Sequence, residues 1–239
     1  MTRNFTDKQE ARQAVWDRIE QEKLGAFPFP PHGRIPNFKG ARQAAVRLFD
    51  HEPWKSAINL KINPDAPQRP VREEALRRGI TVFVPTPRLK GGFKRFDPAR
   101  IPDDHIREAA SLSKGERWAQ DVALEDLPQM DAIVCGSVAV SPAGRRCGKG
   151  EGYSDIEFAI LRELGHAPVP VATTVHDVQL VAALPAGPND LPLSLVVTPT
   201  QSVVIEAPPP APTRIDWDGL GPEALAEMPI LKDLKARRG

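Results

Sequence analysis

The chain predicts an α/β fold, a three-layer α/β/α sandwich with a mostly parallel central sheet. Two observations carry that expectation. Residues 56–62 (SAINLKI), 80–84 (ITVFV), 131–140 (DAIVCGSVAV), 169–175 (VPVATTV) and 193–197 (LSLVV) are nearly unbroken apolar runs. Such runs mark strands buried on both faces, whereas half-buried strands alternate. Helical patterns fall between several of them, which is the rhythm of parallel strands joined by crossover helices. No internal repeat interrupts the series, and 239 residues suffice for one large core without disulfides or a structural metal.

The elements follow in order. Thr6 is a plausible N-cap for a helix over 7–23, with Ala14, Trp16 and Ile19 among its apolar positions. Lys8 and Arg12 stand four apart and share one face of it. The prolines at 28–31 close that element, and a second helix is expected over 41–50 through Ala44, Ala45 and Leu48. After the 56–62 strand, Asn63-Pro64-Asp65 is turn chemistry. A helix over 70–79 then has proline near its start and glycine just past its end. The β-branched and aromatic strand at 80–84 stops at Pro85. Further on, the 131–140 strand leads into a glycine-rich loop, and a helix follows over 153–164, closed by Gly165. Strands at 169–175 and 193–197 and an edge strand at 202–205 complete the sheet. Residues 1–207 are read as the domain. Residues 208–239 are read as a proline-rich linker and a helical tail, near 220–235, that packs on it.

Composition excludes several classes. With 32 basic and 31 acidic residues the net charge is +1, so no nucleic-acid partner is expected. Cys135 and Cys147 form no CxxC pattern and read as reduced thiols. The charged N-terminus lacks a signal-peptide core, and no run approaches the ~18 apolar residues of a membrane span. The expectation is a cytoplasmic protein with a small-molecule partner. The 26 prolines cluster in stiff connectors such as 27–31 and 208–212.

The segment Arg145-Arg146-Cys147-Gly148-Lys149-Gly150-Glu151-Gly152-Tyr153-Ser154-Asp155 carries the chemistry. Alternating glycines let a backbone approach an anion and turn its N–H groups inward. The helix N-terminus that follows adds partial positive charge, and Arg146 and Lys149 are candidate countercharges. The spacing misses the Walker A pattern by one residue, and Gly150 replaces its Ser/Thr. It also misses the GxGxxG dinucleotide fingerprint. Read alone, the segment is either a phosphate loop or a tight structural turn.

Arg146, Gly148, Gly150, Gly152, Tyr153 and Asp155 fall in register on a signature resembling Arg-x-Gly-x-Gly-x-Gly-Tyr-Tyr-Asp, that of the 5-formyltetrahydrofolate cyclo-ligases. Lys8-x-x-x-Arg12 resembles that family's phosphate-contacting pair. The 71–85 stretch and the Asn189-Asp190-x-Pro192 and 197–199 segments are similar to later parts of it. The resemblance implies that ATP phosphorylates the formyl oxygen of 5-formyltetrahydrofolate and that N10 then closes the methenyl ring, with Mg²⁺ as cofactor. It implies a nucleotide site of Lys8, Arg12, Arg146, Gly148, Lys149, Gly150, Glu151 and Gly152. Tyr153 and Asp65 would contact substrate, and Asp155 would assist the metal.

Four departures from the pattern stand out. Ser154 replaces the second tyrosine, Glu151 adds negative charge, Ile156 stands where arginine is frequent, and Val140-Ser141 replaces a Phe-Asp pair. The set Gly-Lys-Gly-Glu-Gly-Tyr-Ser-Asp-Ile-Glu, with 34–38, resembles a divergent paralogue branch for which a link to thiamin metabolism has been suggested. The rival expectation is therefore a nucleotide- or phosphometabolite-binding protein without cyclo-ligase turnover. Glu151 either pairs with a neighbouring cation or faces the pocket with Asp155, and the second arrangement is the one expected. Glu151, Asp155 and Glu157 are a candidate hard-cation trio. His176-Asp177 and the Arg34, Lys39 and Arg42 cluster read as structural and surface groups.

Overall fold

The computed structural model describes residues 3–220 and 227–236. Its strands are β1 (Asn59–Ile62), β2 (Thr81–Pro85), β3 (Phe93–Phe96), β4 (Ala119–Val122), β5 (Ala132–Cys135), β6 (Ala139–Val140), β7 (Arg146–Cys147), β8 (Val171–Thr174), β9 (Leu195–Val197) and β10 (Ser202–Val204). Eight of them form one sheet in the order β10-β9-β8-β5-β1-β2-β3-β4, while β6 and β7 pair separately as an antiparallel ribbon. The five inner strands from β9 to β2 run parallel. β10 on one edge and β3 and β4 on the other are antiparallel.

Alternation along the inner strands splits their side chains between two cores. Ala132 and Val134 of β5 pack in a cluster with helices α2 (Ala41–Leu48), α3 (Arg69–Arg77) and α4 (Ile106–Ala109). Ile133 and Cys135 face the opposite cluster, with Phe158 and Ile160 of α5 (Tyr153–Glu163) and Leu231 of the C-terminal helix Pro229–Ala236. Both faces are thus covered, and the protein is the expected three-layer α/β/α sandwich. Burying a side chain such as Phe158 contributes roughly 1.5–3 kcal/mol.

Several boundaries differ from expectation for physical reasons. Asp7, not Thr6, caps α1 (Lys8–Gln21), accepting from the Glu10 N–H at 2.8 Å. β1 starts at Asn59, because the Asp131 carboxylate takes the N–H groups of Ile58 and Asn59. The expected 131–140 strand breaks after Cys135, and its second half turns into the β6–β7 ribbon. The glycine loop therefore follows a hairpin rather than a sheet strand. Two further strands, β3 (FKRF) and the edge strand β4 (AQDV), lie in a stretch for which no element was expected. Of the expected tail helix, residues 221–226 lie outside the described ones. Its later part buries Ile230, Leu231 and Leu234.

The chain runs outward from β1 through β2, β3 and β4, then returns to pair β5 on the other side of β1. That reversal leaves a crevice beyond the carboxyl ends of β1 and β5, where open α/β sheets bind ligands. α1 is docked beside it. Ala11, Val15, Trp16 and Ile19 pack on Val138, Ala139 and Cys147 of the ribbon, which aims Lys8 and Arg12 along the loop.

Candidate active site

A cavity of about 500 Å³ opens in this crevice. Asn63, Pro64 and Asp65 enter it from the end of β1, and Thr86 and Pro87 from the end of β2. The structure brings all of the expected residues to its walls: Lys8, Arg12, Asp65, Arg146, Gly148, Lys149, Gly150, Glu151, Gly152, Tyr153 and Asp155.

Two glycines shape the loop. Gly150 has φ +117° and Gly152 φ +70°, a region that side-chain-bearing residues rarely adopt. Among the described residues, no backbone carbonyl accepts from the N–H groups of Gly148 through Gly152. The first turn of α5 begins directly after them, and among the described residues no backbone carbonyl accepts from the Ser154 N–H there either. Loop and helix N-terminus together present donors to an anion.

The side chains are held as follows. Arg12 Nε donates to the Gly148 carbonyl at 2.7 Å, which ties α1 to the loop. Lys8 pairs with Asp190, and the Gly187 N–H donates to that carboxylate at 2.6 Å. Lys149 Nζ meets Glu151 Oε2 at 2.8 Å. Glu151 thus pairs with a neighbouring cation while still lining the cavity, and it does not join Asp155. Asp155 is otherwise engaged: its Oδ1 accepts from Arg146 Nη1 at 3.0 Å and from the Leu191 N–H at 2.8 Å.

Arg146 is not a mobile countercharge at the rim. It is almost fully buried in β7, where it also donates to the Gly136 carbonyl at 2.8 Å and to Ser137 Oγ at 3.3 Å. It anchors the loop from beneath, joining the end of β5 to the start of α5. The Glu151, Asp155 and Glu157 trio does not assemble, because each carboxylate has a separate cationic partner. Among the described residues, no group of three or more acidic, His or Cys side chains forms a metal site.

Lys61 and Glu157, each nearly inaccessible, pair beneath the cavity, and Glu157 reaches its lining. Lys61 also donates to Asn63 Oδ1 at 2.7 Å, and Asn63 Nδ2 donates to Ser154 Oγ at 2.8 Å. Burial pushes the Glu157 carboxyl up, against the pull of Lys61. Burial likewise raises the Asp65 carboxyl, only partly offset by the positive charges of Lys149 and Arg72. Tyr153 Oη donates to Glu227 at 3.2 Å.

Sequence reasoning singled out neither Lys61 nor Asn63 as a site residue. A lysine inside an apolar strand is the signal that was present, since a buried charge requires a partner. Asp190 was visible only within a motif. Elsewhere, His176 caps a 3₁₀ turn and Asp177 accepts from Thr198 at 2.6 Å, both structural tasks. Arg42, itself exposed, pairs with the buried carboxylate of Glu73.

Fold and site define an α/β protein with a crevice at the carboxyl ends of parallel strands, lined by cations, carboxylates and a glycine loop. The family model of the 5-formyltetrahydrofolate cyclo-ligase family matches residues 6–199, and the chain belongs to that family. It is similar to a methenyltetrahydrofolate synthase domain-containing protein of Mus musculus, 39% identical over 242 residues, covering 99% of this chain and 65% of that protein. The corresponding Danio rerio protein is 38% identical, covering 95% and 61%. The chain thus spans less than two thirds of the length of these curated relatives. A 5-formyltetrahydrofolate cyclo-ligase of Escherichia coli strain K12 is 27% identical over 168 residues, covering 67% of this chain and 88% of that one. The fold also matches the NMR structure of Aquifex aeolicus 5,10-methenyltetrahydrofolate synthetase, with TM-score 0.54 and 16% identity, over 89% of this chain and 99% of that one. Among the described residues, no helix is long and apolar enough to cross a membrane.

Proposed function

We propose that the chain is an ATP-dependent cyclo-ligase acting on 5-formyltetrahydrofolate or a related formylated heterocycle. The observation that carries this reading is the meeting of Lys8, Arg12, Lys149 and the N–H groups of the 148–152 loop in one cavity. An amide-like formyl carbon is a poor electrophile until its oxygen becomes a leaving group. In the proposed reaction the γ-phosphoryl of ATP passes to that oxygen, N10 attacks the formyl carbon, and inorganic phosphate departs to leave the methenyl cation and ADP. The loop donors and the three cations hold the phosphates and bear their charge. In this reading Asp65, on the cavity wall, takes the N10 proton. Its raised affinity for protons suits a general base better than an ordinary carboxylate would. The carboxylates present suit Mg²⁺ only as an ion carried by phosphates and water, with Asp155 at its edge, the usual way a nucleotide-bound Mg²⁺ is held. When bound there it would neutralise phosphate charge.

The test is to mix protein, ATP, Mg²⁺ and 5-formyltetrahydrofolate and follow methenyltetrahydrofolate absorbance beside ADP release. Equal amounts of the two products are expected, and Asp65→Asn should lower turnover while nucleotide affinity holds. A second reading, a phosphometabolite-binding protein without this turnover, is favoured by one feature: Glu151 already occupies Lys149 inside the loop. Tight ATP binding with no methenyl product would select it, and a formylated precursor of another heterocycle, thiamin-related ones included, would then be the next substrate class to assay.

A further inference from the structure

A second cavity of about 280 Å³ adjoins the first, enclosed by α5, the 187–190 turn and the segment 212–220. Gly152, Asp155 and Asp190 line both. Ile156, Ala159, Ile215 and Leu220 give it apolar walls, and Asn189 stands among its few polar groups. The outer wall lies beyond residue 199, where the match to the family model ends.

That wall is pinned in place. Asn189 Nδ2 donates to Asp216 Oδ2 at 2.9 Å, and the Gly219 N–H donates to Asp216 Oδ1 at 3.1 Å. The Ile215 N–H donates to Glu163 Oε2 at 3.3 Å, and the Ile215 side chain is buried against α5. The segment is thus tied at one point to the 187–190 turn and at another to the far end of α5, leaving a slot between them.

We propose that this slot holds the base of the nucleotide whose phosphates the 148–152 loop receives, with segment 212–220 as its wall. The inference rests on the phosphate reading of the loop. A ligand that fills both cavities carries concentrated negative charge at one end and a flat, apolar ring with hydrogen-bonding edges at the other. A nucleoside triphosphate has that division. Apolar walls suit the faces of a heteroaromatic base, and the few convergent polar groups suit its edges.

Calorimetric titration of ATP and of inorganic tripolyphosphate into the protein tests this. ATP is expected to bind at least ten times more tightly than tripolyphosphate. Ile156→Trp, which fills the slot, should erase most of that advantage while leaving tripolyphosphate affinity unchanged. Asp216→Ala, an exposed change that unpins the wall, should reduce the advantage without touching the core. Equal affinity for ATP and tripolyphosphate in the parent protein overturns the slot assignment while the phosphate site stands. An undiminished ATP advantage in both variants overturns it too. Binding of neither ligand overturns the phosphate reading and this inference together.

Discussion

Glu151 places a carboxylate beside Lys149 in the glycine loop, so the lysine divides its charge between that carboxylate and any anion the loop receives. Glu151→Gln removes the repulsion and releases the lysine, so ATP affinity should rise several-fold by calorimetry; unchanged affinity would show that the pair never competes with the ligand. Lys61 raises a different question, because its charge is buried and paired with the buried Glu157 carboxylate. Removing one partner of such a pair typically costs about 3–5 kcal/mol, whereas replacing both with apolar groups is often neutral. Lys61→Met should therefore lower the urea midpoint strongly, and Lys61→Met with Glu157→Leu should recover much of the loss. A double variant as unstable as the single one would contradict that account. The lysine was legible as an anomaly in its strand, but its partner lies 96 residues away and only the fold brings the two together. Glu73 yields a pH prediction. Burial pushes its carboxyl up, but hydrogen bonds from Arg77 and Arg42 outweigh this and hold it below the usual range. A lowered carboxyl contributes stability above its unfolded value of ~4.3 and loses it as the pH falls through the folded value. Thermal melts in acid should thus fall more steeply for the parent than for Glu73→Gln below that point, and parallel curves would count against it.

At the scale of elements, the loop and α1 act as one device. Gly152 sits in the left-handed region with open space where a Cβ would go, so Gly152→Ala should cost only conformational strain, about 1–2 kcal/mol. Gly150, at φ +117°, lies farther still from any backbone that a side-chain-bearing residue adopts, so an alanine there must rearrange the loop itself, although its Cβ would meet Arg12 Cζ only at 3.8 Å, an ordinary contact. Gly150→Ala should therefore weaken ATP binding as well as stability, whereas Gly152→Ala acts mainly on stability; measuring both by calorimetry and urea melts separates the two cases. Identical losses in both variants would undo the distinction. The inner strands were legible because burial on both faces leaves unbroken apolar runs. β3 and β4 were not, since FKRF and AQDV set Lys94, Arg95, Gln120 and Asp121 at half-buried or exposed positions and look like loop sequence. The break after Cys135 was hidden for the converse reason: the ribbon that follows is as buried and apolar as the strand before it.

Over the whole molecule, the reversal of strand order at β1 places the ends of two inner strands, the α1 cations and the glycine loop around one crevice. The loop residues were legible from glycine spacing and charge, because backbone access and countercharge leave a local pattern. Asn63 and the slot under 212–220 were not, because they depend on which segments the fold sets side by side. The anchoring task of Arg146 was hidden for the same reason, because its burial beneath the loop shows only in the fold. The central claim is that α1 and the loop converge on a single polyphosphate. At ~4 Å and an effective dielectric near 20, each cation facing a phosphate charge is worth up to about 4 kcal/mol before screening. The most direct measurement is calorimetric titration of ATP into the parent protein and into a variant carrying Lys8→Gln and Arg12→Gln, with melting curves to show that both are folded. The account predicts a loss of affinity of tenfold or more in the folded variant, and equal affinity in the two proteins would contradict it.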